Sequence, residues 1–190
     1  MTQKENALKR IYARERGMKE RRKTGDCASG WRPAADGVAV LSDGFMLAAL
    51  PEMPDCIPKA DAESDYAKIY ESYVVKPWDT HVYTYNPTAI LEPLRKTELR
   101  RQYNTWRREY RQFAAKRCLI RLNTKHRSAV FDVQYLLDLM DIMGKDFSIF
   151  LTDQDHPVLY LVPENWTQLQ PLVPLCLLLP NRGEENFLYQ

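Results

Sequence analysis

SAVFDVQYLLDLMDIMGKDFSIFLTDQDHPVLYLV, residues 128–162, is the stretch on which the reading of this chain turns. Leu136, Leu137, Leu139, Met140 and Met143 return at three- and four-residue steps, which predicts an apolar helix face over Tyr135–Met143. Gly144 follows the last periodic residue and stops that helix. Phe147, Ile149 and Leu151 then alternate with Ser148, Phe150 and Thr152, mostly the period of a half-buried strand. A turn at Asp153, Asp155 and Pro157 leads into a second short strand. The unit is one helix followed by two strands.

Working outward, Asp36–Leu50 carries Ser42-Asp43-Gly44 between two apolar runs, a hairpin signal because glycine supplies the positive φ of a tight turn. Residues 3–23 read as a basic helix with a narrow apolar patch of Leu8, Ile11 and Tyr12, weakened by Gly17. Gly25–Gly30 is a loop, and Trp31-Arg32-Pro33 opens the packed region. Pro51–Pro58 is an acidic, proline-rich connector that cannot hold a helix. A short helix is expected over Ala60–Tyr73 and a strand over His81–Tyr85, and Pro87 suits the first turn of the next helix. Leu94–Lys116 predicts a long helix, and Cys118–Leu122 and Ala129–Val133 two strands. No repeat of fixed period stands out. The fold class is α+β.

The pairing of YLLDLM with LTDQDHPVL resembles the last domain of the bacterial DNA polymerase III beta sliding clamp. Asp36–Leu50, Asn86–Lys96 (NPTAILEPLRK) and Val173–Pro180 (VPLCLLLP) are similar, more weakly, to that family's turn, first helix and closing strand. The resemblance implies a DNA-clamp-like domain, helices packed on an antiparallel sheet, over residues 31–190. A basic N-terminal helix or arm at residues 1–30 precedes it, and an Arg-rich helix at about 94–117 is an insertion. A clamp subunit has three such domains and two subunits close a ring, whereas this length suits one domain. The family's partner cleft would fall near Leu175, Leu177, Leu178 and Pro180, although so unbroken an apolar run reads on its own terms as a buried core strand.

Composition narrows the function classes. No apolar run approaches the roughly 18 residues of a membrane span, and the basic N-terminus lacks the apolar segment of a signal peptide. Cys27, Cys56, Cys118 and Cys176 are widely spaced, the usage of a reduced, cytoplasmic protein rather than of a zinc site. Turn chemistry accounts for Asp153 and Asp155, and with Asp141 and Asp146 they lack metal-ligand order. His81, His126 and His156 have no nucleophile motif beside them, and the seven glycines form no phosphate loop. The expectation is a protein without enzymatic activity, cofactor or metal.

Net charge is only +2, but it is segregated. Residues 1–24 hold nine Lys/Arg against three Glu, residues 95–127 twelve against two acids, and residues 128–190 two against nine. Such segregation points to polyanion contact. The candidate binding residues are Arg100, Arg101, Arg107, Arg108, Arg111, Lys116 and Arg117 in and after the Arg-rich helix, with Lys9, Arg10, Arg14, Arg21 and Arg22 in the N-terminal one. The plain alternative is that these arginines pair with the acids of residues 128–190. Leu99, Tyr103, Trp106, Tyr110 and Phe113 step by four and three along the same helix. That stripe reads as its buried side or as a seam between copies that would make a homo-oligomer, and otherwise as a platform for bases. Two functions follow as expectations. One is a nucleic-acid- or nucleoprotein-binding accessory protein of a phage or mobile element. The other is an anti-CRISPR-type inhibitor that grips a guide-loaded, Cas9-type nuclease and blocks DNA engagement.

Overall fold

The computed structural model describes residues 1–22, 29–34, 37–60, 95–110, 117–123, 128–152, 157–164, 174–181 and 187–189. The helix expected from Ala60, the strand from His81, the helix opening at Pro87 and the turn at Asp153 and Asp155 lie outside these residues.

Three helices are described: α1 (Gln3–Arg22), α2 (Lys96–Glu109) and α3 (Val133–Met143). α1 starts at a capping box, in which Glu5 N–H donates to Thr2 Oγ1 (3.1 Å) and Thr2 N–H to Glu5 Oε2 (2.6 Å). Gly17 does not interrupt it. The described helix α2 has Tyr110 as its C-cap, and residues 111–116 of the expected helix lie outside the described residues. α3 opens on Asp132, whose side chain accepts from Gln134 N–H at 2.8 Å. It stops at Gly144, whose φ of 87° is open to glycine and strained for other residues.

A six-stranded sheet has the order β1-β2-β3-β8-β7-β6, every neighbour antiparallel. Its strands are β1 (Arg32–Pro33), β2 (Ala39–Ser42), β3 (Met46–Leu50), β6 (Phe147–Leu151), β7 (Leu159–Pro163) and β8 (Leu175–Leu178). The chain is thus α+β with an antiparallel sheet. In a smaller sheet β4 (Leu119–Asn123) pairs antiparallel with β5 (Ser128–Asp132) and parallel with β9 (Phe187–Tyr189).

The large sheet is two three-stranded meanders joined edge to edge through β3 and β8. A helix precedes each: α1 before β1-β2-β3, α3 before β6-β7-β8. The same helix-then-meander plan therefore occurs twice, although no sequence repeat announces it.

Alternation along the strands divides the core. Leu41, Ala48, Leu161, Cys176 and Leu178 face the cluster that also contains Leu8 and Ile11 of α1 and the inner side of α3. Val40, Leu47, Tyr160, Leu175 and Leu177 form a second cluster. β8 lies between β3 and β7 with all four residues buried. Leu175, Leu177 and Leu178 accordingly fill core, as their apolar run predicts.

α1 is part of this core rather than a detachable arm. Ala7, Leu8 and Ile11 are at most 1% exposed, and their burial removes from water the patch that a free helix would have to leave wet. The proline-rich connector is also pinned. Trp31 N–H donates to Pro58 O (3.1 Å) and Ala60 N–H to Trp31 O (2.9 Å). Gly30 permits the approach, since a Cβ there would sit 2.2 Å from Pro58 O.

Candidate polyanion-binding surface

α3 is an apolar helix with two acids in its middle, and their surroundings decide which cations face outward. Asp138 and Asp141 are both buried. A buried carboxylate needs a charge partner or hydrogen bonds, and the helices on either side supply them. From α1, Arg10 Nε donates to Asp138 Oδ1 at 2.7 Å and Arg14 donates through one terminal nitrogen to Oδ2 at 2.8 Å. Gln134 Nε2 adds a further bond to Oδ1 at 2.8 Å. From α2, Arg100 donates to Asp141 Oδ2 at 2.6 Å, and Lys96 Nζ stands 3.0 Å from Oδ1. Arg10 lies 3.6 Å from the same carboxylate.

A third carboxylate completes the cluster. Asp43, in the β2–β3 turn, accepts from Phe45 N–H and Met46 N–H through Oδ1, and its Oδ2 takes Arg14 Nε at 2.8 Å. The Arg14 guanidinium also lies 4.3 Å from the Tyr135 ring centroid. Burial works against its charge, but Asp138 and Asp43 outweigh burial and raise the Arg14 pKa. Four cations and three carboxylates thus join α1, α2, α3 and the hairpin turn. A second buried pair sits nearby, with Arg32 2.9 Å from Glu15 of α1.

The candidate residues divide accordingly. Arg10, Arg14 and Arg100 are corrections to the expected binding surface, because the chain's own acids hold them. Lys96, absent from the candidates, belongs with them. Lys9 is exposed, its Nζ 3.8 Å from Met1 Sδ. Arg21 and Arg22 lie in the last turn of α1, and their side chains fall outside the description, as do Arg111 and Lys116 entirely. Arg101 is exposed and forms a two-bond fork with Glu98 at 2.6 and 2.8 Å. Hydrogen bonds from Arg101 and Gln102 lower the Glu98 pKa to about 2. Arg117 is exposed and lies 3.4 Å from Asn181 Oδ1.

Arg107 and Arg108 differ from the arginines of α1 and α2 that acids hold. Both are exposed in the last turn of α2. Arg107 lies 5.8 Å from the Tyr103 ring centroid, and Arg108 reaches Thr105 Oγ1 at 3.3 Å. Among the described residues neither pairs with a carboxylate.

The aromatic stripe grades from core to surface. Leu99 is fully buried, Tyr103 and Trp106 pack half-buried against the core, and Tyr110 is 42% exposed. Tyr103 and Trp106 stack with centroids 6.3 Å apart at 20°, and Trp106 and Tyr110 follow at 5.9 Å and 34°. The N-terminal part of the stripe is the buried side of α2. Phe113 lies outside the described residues.

Other chemistry is sparse on this surface. Burial, with Asp132 beside it, pushes the Cys118 thiol up to about 12, and burial raises that of Cys176 as well. Both are thiols at neutral pH, not thiolate nucleophiles. Among the described residues no three His, Cys, Asp or Glu side chains are placed to hold a metal ion. No described helix is long and apolar enough to cross a membrane. No family model matches the chain, and neither a curated protein nor a solved structure is significantly similar to it.

Proposed function

We propose that this chain is a non-enzymatic nucleic-acid-binding accessory protein that grips phosphate through the outer face of α2. One observation carries the reading: after the buried acids have drawn in Arg10, Arg14, Lys96 and Arg100, the neighbouring Arg107 and Arg108 remain exposed with no carboxylate partner among the described residues. Guanidinium groups bind phosphate in a fixed, bidentate geometry and stay charged at any physiological pH. Their place in the last turn of α2 also suits the negative end of the helix dipole. The resemblance to the sliding clamp supports a setting in replication, of the kind carried by a phage or mobile element.

Arg107→Glu with Arg108→Glu should abolish binding of labelled DNA at low salt and leave the melting temperature within a few degrees. Wild-type affinity should fall steeply as salt rises, because each neutralised phosphate releases counterions. Unchanged affinity in the double variant would refute the assignment. Capture from a lysate with and without nuclease treatment separates the inhibitor reading. A single protein partner retained after nucleic acid is destroyed, such as a guide-loaded nuclease, would replace the accessory reading with it.

A further inference from the structure

We infer that the nucleic acid gripped by α2 is duplex DNA, entered through its major groove, with the Asn104 amide reading an adenine edge and Arg107 and Arg108 on the phosphates beside it. This rests on the phosphate-binding reading above and specifies its ligand. α2 has two contrasting sides. Leu99, Tyr103 and Trp106 seat one of them against the core. On the opposite side Thr97, Arg101, Asn104 and Arg108, at steps of four, three and four, form an exposed stripe. Asn104 stands in the middle of that stripe, one turn before Arg107 and Arg108. Its side chain makes no hydrogen bond among the described residues, and asparagine is among the weaker helix formers. Nothing in the fold therefore calls for an amide at this place.

A carboxamide carries an acceptor oxygen beside a donor nitrogen. The major-groove edge of adenine is its complement, an N6 donor next to an N7 acceptor, and asparagine pairs with it through two bonds. An acidic protein surface offers acceptors only; it would hold the arginines and leave the Asn104 oxygen unmatched. The major groove is about 12 Å wide and admits one α-helix. A helix seated on its protein by one side, with amide and guanidinium groups on the other, is oriented as groove reading requires. A single strand has no groove to fix such a helix, so base edge and phosphates are not presented to it together. The arginines suit all three ligands, and Asn104 selects among them.

The test uses the full chain and a duplex pool carrying about ten randomised base pairs, one turn of the double helix. Bound duplexes are recovered and sequenced, and affinities are then read by fluorescence anisotropy. Wild type should enrich an adenine at a fixed position. Asn104→Ala should bind the unselected pool as wild type does and enrich none. Replacing the enriched adenine by 7-deazaadenine, which lacks the N7 acceptor, should weaken wild type about tenfold and leave Asn104→Ala unchanged. Arg107→Glu with Arg108→Glu should remove binding of selected and unselected duplexes alike. Base reading is refuted, and phosphate contact stands, under any of three results obtained while the arginine variant still abolishes binding: wild type enriches no base, Asn104→Ala enriches the same one, or a single strand of the selected sequence binds as tightly as the duplex. If wild type binds no DNA, the inference and the reading beneath it both fall. Because Asn104 is exposed and alanine is the better helix former, Asn104→Ala should melt at or above the wild-type temperature, so lost preference cannot be attributed to unfolding.

Discussion

Asp138 is the residue whose chemistry most constrains the rest. Its side chain is 0% exposed and receives Arg10, Arg14 and Gln134. Removing one partner of a buried ion pair leaves the other charge uncompensated, which usually costs more than the pair contributed. Asp138→Ala should therefore lower unfolding free energy by about 3 kcal/mol, read by urea denaturation. The partial exposure of Arg10 and Arg14 lets water recover some of their charge and holds the loss near the lower end of that range. A loss below about 1 kcal/mol would mean that the cluster behaves as an ordinary surface network. The acids were visible in the sequence as an oddity: Asp138 and Asp141 stand inside the apolar helix YLLDLMDIM. Once buried, these acids need cations, but nothing local says which arginines answer them.

Among the elements, α3 shows how a cap and a burial cost oppose each other. Asp132 caps the helix, yet burial raises its pKa despite the hydrogen bonds from Gln134 and Tyr135 N–H, which act to lower it. A carboxyl whose pKa is higher folded than unfolded stabilises the protein below its unfolded pKa, and that contribution is lost as pH rises through the folded value. At neutral pH the ionised form is therefore a net burden. Asp132→Asn keeps the capping oxygen without the charge. It should melt at or above the wild-type temperature at pH 7, and the advantage should vanish near pH 3, where both forms are neutral. A variant that melts well below wild type at pH 7 would show that the charge itself is needed at this helix start. The extent of α3 and its stop at Gly144 were legible to within two residues, because apolar period and glycine act locally. The described part of α2 ends at Glu109, and the continuation of its aromatic stripe to Phe113 lies outside the described residues.

For the molecule as a whole, the N-terminal segment changes role. Nine basic residues among the first 24 suggest an arm. Instead Leu8 and Ile11 enter the core, and Arg10, Arg14 and Glu15 all reach into buried ion pairs. Deleting residues 1–22 should abolish the cooperative melting transition followed by circular dichroism. A truncated protein with a sharp transition close to wild type would return α1 to the status of an accessory. The same large sheet contains the twofold helix-then-meander plan, with α1 and α3 as counterparts.

Sequence by itself determined the α+β class, the hairpin at Ser42-Asp43-Gly44, the helix-and-two-strand unit from Tyr135 onward and the burial of Leu175, Leu177 and Leu178. These depend on period, turn residues and apolar runs, which act over a few neighbours. Tertiary structure alone decided the fate of the arginines. Arg100 and Arg107 are alike in sequence and lie on one helix, but only Arg100 comes within 2.6 Å of Asp141, 41 residues away. Which charges are neutralised depends on contacts between distant segments, and such contacts exist only once the chain has packed.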